Sequence, residues 1–134
     1  RLARLGSQII LPYRGEEKSY RHMKIMGDLG QIVPYECDLT EPSQIEEACS
    51  RANVVINLVG RRWDSRNYSL DQVNHQFPKT IAQVAKACGV EQFVHVGALE
   101  SAERSPSAYA RSKWAGEQAV REIFPQAAIL RPAS

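Results

Sequence analysis

Short apolar, β-branched runs alternate along this chain with longer stretches whose apolar residues recur at helical spacing. That alternation limits the fold more than any other feature. The runs are "SQIILPY" (7–13), "QIVPYEC" (31–37), "NVVINLV" (53–59), "QFVHVGA" (92–98) and "AAILRP" (127–132), and each is an expected strand. Helices are expected near 19–29, 42–51, 70–88 and 106–123. The last has Ser105 as an expected N-cap with Pro106 at its first position, and Thr40, Glu41 and Pro42 mark a similar start for the second. Strands that are apolar at consecutive positions need cover on both faces, and intervening helices provide it. The expected class is α/β, with a doubly wound parallel sheet.

A doubly wound sheet of the Rossmann-like, dinucleotide-binding kind places its first strand centrally, between the second and the fourth. If "SQIILPY" is the second strand, the first strand and the glycine-rich turn after it are missing, and no G-x-x-G-x-x-G occurs in the 134 residues. The opening "RLARLG" reads as the last turn of a helix closed by Gly6, and the first methionine is Met23. Residues 1–134 are therefore expected to be part of a single NAD(P)-binding domain, present as a fragment.

Composition narrows the function classes. No apolar run approaches the roughly 20 residues that span a bilayer. A net charge of +2, with twelve arginines and five lysines scattered along the chain, gives no nucleic-acid footprint. Cys37, Cys49 and Cys88 have neither C-x-x-C nor Cys/His ligand spacing, so no metal site is expected and the thiols read as buried and reduced.

In such sheets, ligands sit beyond the carboxyl ends of the strands. Arg14 follows the first run; an arginine there pairs with an adenosine 2′-phosphate, which selects NADP(H), or it is a surface loop residue. Asp38 either accepts from an adenine amino group or caps the next helix. Leu58, Val59 and Gly60 end the third run, where a glycine permits close approach to a ribose or simply makes a turn. Arg61 and Arg62 suit a phosphate, a partner protein or a solvated loop. Tyr109 and Lys113 lie one helical turn apart and share a face. An ammonium beside a phenol favours the phenolate, which suits acid–base chemistry, and a solvent-facing tyrosine is the plain alternative.

The Tyr109/Lys113 Y-x-x-x-K pair and the closing "RPAS" resemble the short-chain dehydrogenase/reductase superfamily, and "VNHQFPKTIAQVAKACGVEQFVHVGA", with Asn74, is similar to its extended and atypical branch. Within that branch, "GSQIILPYRGEE", "MGDLGQIVPYECD" and "ANVVINLVGRRWDSRNYSLDQVN" resemble a family of nucleotide-binding accessory subunits of mitochondrial respiratory complex I, the NADH:ubiquinone oxidoreductase. The resemblance covers nearly the whole chain. It implies a peripheral protein on the matrix side of the inner membrane, near the junction of the matrix and membrane arms. Its partners would be other complex I subunits, and it would hold NADPH without turning it over.

The superfamily's substrate-binding serine is expected where the "FVHV" strand ends, but Gly97 and Ala98 stand there, and Ser101 lies further along. Loss of such a donor costs on the order of 100- to 1,000-fold in rate. Tyr109 and Lys113 are thus expected as a relic pair that binds cofactor, with no catalytic residue and with Arg14, Asp38, Leu58, Val59 and Gly60 as the other cofactor-binding positions. Two further readings stand beside this one. One is an active reductase or epimerase using Tyr109 and Lys113; the other is an NADP(H) sensor bound to a regulatory protein.

Overall fold

The computed structural model describes residues 1–17, 20–28 and 30–133. They fall into two compact units, Arg1–Ala48 and Cys49 onward. In the first, a 3-10 turn at Ala3–Leu5 closes on Gly6, whose φ of 97° is a left-handed conformation that favours glycine. There follow β1 (Ile9–Tyr13), α1 (Arg21–Lys24), β2 (Ile32–Glu36) and α2 (Pro42–Ser50). β1 and β2 pair in parallel, from Ile9 against Ile32 to Tyr13 against Glu36. Ala3, Tyr20, Cys37 and Ile45 are buried in this unit, and the Tyr13 and Tyr20 rings lie 4.3 Å apart.

The "MGDLGQIV" segment has a structural role here. Gln31 donates through Nε2 to the Ala3 carbonyl at 2.8 Å and accepts through Oε1 from the Asp28 N–H at 2.7 Å. This fastens the 3-10 turn to the loop ahead of β2. Gly27 fits against it because a Cβ there would lie 2.8 Å from the Ala3 Cβ. The helix expected near 19–29 shrinks to the four residues of α1, with Lys18, Ser19 and Leu29 outside the described residues. Gly27, Asp28 and Gly30 explain the early stop, since glycine is a poor helix former and Gly30 has φ 82°.

In the second unit, β3 (Val54–Asn57), β4 (Gln92–Val96) and β5 (Ala128–Leu130) form a parallel sheet in that order. A five-residue π turn, Gln72–Gln76, runs directly into α3 (Phe77–Ala87), and α4 spans Ala108–Ile123. Phe77, Ile81, Ala85, Phe93 and Val120 are buried, and Phe93 stacks on Phe124 at 5.3 Å between ring centroids. β3 alternates, with Asn57 buried while Val54 and Ile56 stay 40% and 45% exposed, so one face of this sheet is less covered than a run of consecutive apolar residues suggests.

The start of α4 also differs from the sequence reading. Its N-cap is Ser107, whose hydroxyl accepts from the Ala110 N–H at 3.3 Å. Ser105 instead accepts from the Ser107 N–H at 3.2 Å. Pro106 therefore lies ahead of the helix, whose first residue is Ala108.

Candidate functional site

β3, β4 and β5 run in parallel, so their carboxyl ends lie on one edge of the sheet. At that edge Leu58, Gly60, Arg61 and Arg62 after β3, Gly97 to Glu100 after β4, Pro132 and Ala133 after β5, and Tyr109 and Lys113 of α4 line a cleft of about 440 Å³. This volume lies within the range of small-molecule sites. Of the expected cofactor-binding residues, Leu58, Gly60, Tyr109 and Lys113 meet here. Val59 does not line the cleft; its N–H donates to Asn57 Oδ1 at 3.1 Å and turns the chain after β3.

Lys113 is 4% exposed and donates from Nζ to the Val96 carbonyl at 3.1 Å. Burial pulls its pKa below the usual lysine value, and the Glu117 carboxylate opposes that pull. Gly60 keeps its ammonium open to the cleft, because a Cβ at that position would come 3.0 Å from Nζ. The Arg62 guanidinium sits 6.0 Å from the centroid of the half-buried Tyr109 ring, at the outer range of a cation–π contact. An ammonium has three donors, so one carbonyl leaves Lys113 able to grip a diol such as a ribose. The residues present therefore fit the nicotinamide-ribose end of a dinucleotide.

The segment after β3 is held from below. Asn74, 1% exposed, accepts through Oδ1 from the Arg61 N–H at 2.9 Å and donates through Nδ2 to the Arg61 carbonyl at 2.8 Å and to Ser112 Oγ at 2.9 Å. It sits in the π turn, and its own carbonyl oxygen lies 1.9 Å from where a Cβ of Gly116 would be. Only a glycine allows α4 to pass this close.

Ser101 does not offer its hydroxyl to the cleft. It is buried and donates to Glu117 Oε2 at 3.3 Å. Glu117 is itself fully buried, and it also receives Arg121 Nη2 at 3.1 Å and Arg131 through Nε and Nη2. A Cβ at Gly97 would lie 3.3 Å from Glu117 Oε2, so that carboxylate crowds the place where the superfamily's serine is expected. Beside it His95, 0% exposed, faces Asn57 Nδ2 through Nδ1 at 3.0 Å. Since Asn57 Oδ1 is taken by Val59, its amide donates, Nδ1 accepts, and the ring proton resides on Nε2, which has no partner among the described residues. Burial, then the charge of Lys113, pushes the His95 pKa down to about 4, against a smaller upward pull from Glu117. His95, Glu117 and Arg131 were not anticipated from sequence; the one available signal is Glu117's spacing four residues after Lys113 on the same helical face.

In the first unit, Arg14 and Asp38 follow β1 and β2 at their carboxyl ends. Asp38 Oδ1 accepts from the Thr40 N–H at 2.9 Å and the Thr40 hydroxyl at 2.7 Å. These two bonds and the nearby Arg14 charge lower its pKa. Its own N–H donates to Gln44 Oε1 at 2.7 Å. Asp38 thus shapes the turn that leads into α2 by bonding Thr40, two residues before the helix begins. Arg14 is exposed and near enough to Asp38 to act on its charge.

Among the described residues there is no group of His, Cys, Asp and Glu able to hold a metal, and no helix is long and apolar enough to cross a membrane. Over 131 residues the chain is 45% identical to the mouse protein "NADH dehydrogenase [ubiquinone] 1 alpha subcomplex subunit 9, mitochondrial", covering 98% of this chain and 35% of that protein. It spans about a third of the length of that curated relative. Citrobacter sp. triphenylmethane reductase complexed with NADP(H) superposes with a TM-score of 0.71 at 21% identity, over 95% of this chain and 40% of the enzyme. Bordetella bronchiseptica WbmH in complex with NAD+ gives a TM-score of 0.75 at 15% identity, over 97% and 48%. These two likenesses describe the fold. Residues 1–133 match the pattern described as the NAD dependent epimerase/dehydratase family. With the parallel α/β architecture and the strand-end cleft, that match decides the affiliation: the chain belongs to the NAD dependent epimerase/dehydratase family.

Proposed function

We propose that this chain is the NADP(H)-binding part of an accessory subunit of mitochondrial complex I, and that it retains the nucleotide without turning it over. Both compact units are then parts of one NAD(P)-binding domain. Arg14 takes the 2′-phosphate, Asp38 lies at the adenine end, Leu58, Val59 and Gly60 border a ribose, and Tyr109 and Lys113 hold the nicotinamide ribose. The partners are other complex I subunits near the junction of the matrix and membrane arms, with the protein peripheral on the matrix side of the inner membrane. The complex I assignment is supported by the 45% identity with the mouse subunit.

The observation that carries the non-catalytic part is the fate of the hydroxyls around the cleft. The β4 exit presents Gly97 and Ala98, and Ser101 is committed to Glu117. Tyr109 therefore stands beside Lys113 without the serine that would bind a substrate carbonyl. The alternative, an active reductase or epimerase, is favoured by one feature: Tyr109 and Lys113 face the same cleft.

The test is the native size of the particle that contains the protein after mild detergent extraction, with NADH oxidation assayed in the same band. Co-migration with a very large NADH-oxidising assembly supports the subunit reading. A small particle whose substrate-dependent NADPH oxidation disappears in Tyr109→Phe would replace it with the enzyme reading.

A further inference from the structure

Glu117 is a carboxylate with no exposed surface, surrounded by Ser101, Arg121 and Arg131. Burying a charge is costly unless it is paired and hydrogen-bonded, and this one is paired on every side that the described residues show. Its partners come from different segments. Ser101 follows β4, Arg131 follows β5, and Glu117 stands on α4 four residues beyond Lys113. The strand exits joined in this way carry Gly97, Ala98 and Pro132, which form one wall of the cleft.

We infer that Glu117 is a positioning residue for ligand binding: one carboxylate ties the segments leaving β4 and β5 to the helix that carries Lys113, and so sets both the wall of the cleft and the cation that grips the ligand. This rests on the nucleotide reading above, with the ribose diol next to the nicotinamide as the group gripped. Glu117 does not touch the ligand. It acts through Arg131 and Ser101 on the wall, and through its charge on Lys113, which burial alone would push towards the neutral amine.

A neutral amine donates fewer and weaker hydrogen bonds to a ribose, so removal of the Glu117 charge has a signature that loss of packing lacks. Nucleotide binding should fail at lower pH than in the wild type, because Lys113 then loses its proton earlier. The other charged or titratable groups around Lys113 are His95 of β4, Tyr109 one turn earlier on α4, Arg61 and Arg62 after β3, and Glu100 after β4. His95 is neutral above its pKa of about 4 and does not contribute to an alkaline limb.

The experiment is fluorescence titration of the intact protein with NADPH and with NADH across the neutral to alkaline range, for wild type, Glu117→Gln and Lys113→Met. Glu117→Gln should weaken both nucleotides about tenfold at neutral pH and move the alkaline limb down by about one pH unit, in keeping with the effect of an adjacent opposite charge. Should Glu117→Gln not fold, the double variant Glu117→Gln/Arg131→Gln removes the carboxylate together with its Arg131 partner and must move the limb in the same direction. Lys113→Met should bind weakly and have no such limb. An unshifted limb in a folded variant that still binds overturns the inference and leaves the nucleotide reading intact. A wild-type protein that binds neither nucleotide, or a Lys113→Met that binds as wild type does, overturns the nucleotide reading and this inference with it.

Discussion

Acidification should destabilise this protein through His95 in particular. The ring is fully buried, its Nδ1 already accepts from Asn57, and Lys113 is close enough to repel a second proton. Its pKa falls from 6.5 to about 4 in the folded chain, whereas an unfolded chain leaves it near its ordinary value. The unfolded state therefore binds more protons between those limits, so the stability contributed by a neutral His95 is complete above the upper pKa and is lost as pH falls through the lower. Linkage over that window gives a loss of about 2 kcal/mol between about pH 7 and about pH 5, roughly 20- to 30-fold in the unfolding constant. Other groups also titrate there, so the quantity to measure is a difference: urea unfolding of wild type and His95→Gln at a series of pH values, with the His95 imidazole followed by NMR. Wild type should lose about 2 kcal/mol more than the variant over that span. Parallel stability curves, or an imidazole titrating at 6.5 or above, would refute the argument from burial and from Lys113.

Two further outcomes follow from geometry. Gly116→Ala sets a methyl against the Asn74 carbonyl oxygen, 1.9 Å from the Cβ position. Ordinary contact then requires about 1.5 Å of backbone movement and should cost about 3 kcal/mol in chemical denaturation, whereas a loss under about 0.5 kcal/mol would show that the π turn and α4 can part freely. Arg14→Glu replaces a phosphate-binding cation with a repelling charge, so titration should show NADPH affinity falling at least about tenfold more than NADH affinity. Equal losses would mean that Arg14 does not occupy the 2′-phosphate position.

The five strands were legible because each is a short β-branched run bounded by turn residues. The structure trims "NVVINLV" to Val54–Asn57 and "QFVHVGA" to Gln92–Val96, where pairing stops and the chain turns into the cleft. The Tyr109/Lys113 pair was legible as well, since its spacing alone places both residues on one face. What escaped depends on tertiary contact. A stretch resembling one continuous amphipathic helix over 70–88 contains a π turn, and nothing local in its sequence marks where the ladder widens. Glu117 and Arg131 carry charges that a pattern reading assigns to solvent, yet Glu117 is buried because segments from two strand exits converge on it. Ser105 was the nearer match to a serine–proline start, and the cap lies two residues on, where the Ser107 hydroxyl accepts from the Ala110 N–H.

The π turn can also be considered as a record of descent. A five-residue turn within an otherwise α-helical stretch holds one residue more than the regular ladder needs, as though a single residue had been inserted and the helix had bulged instead of shifting its whole register. The bulge contains Asn74, whose carbonyl occupies space that only a glycine on α4 leaves vacant. Across related chains, the extra residue and the glycine facing it should therefore be inherited as a pair. A lineage that deletes the residue frees position 116 to carry a side chain, and one that keeps the residue does not. An alignment in which the two features segregate independently would show that helix spacing in this family is set by something other than that contact.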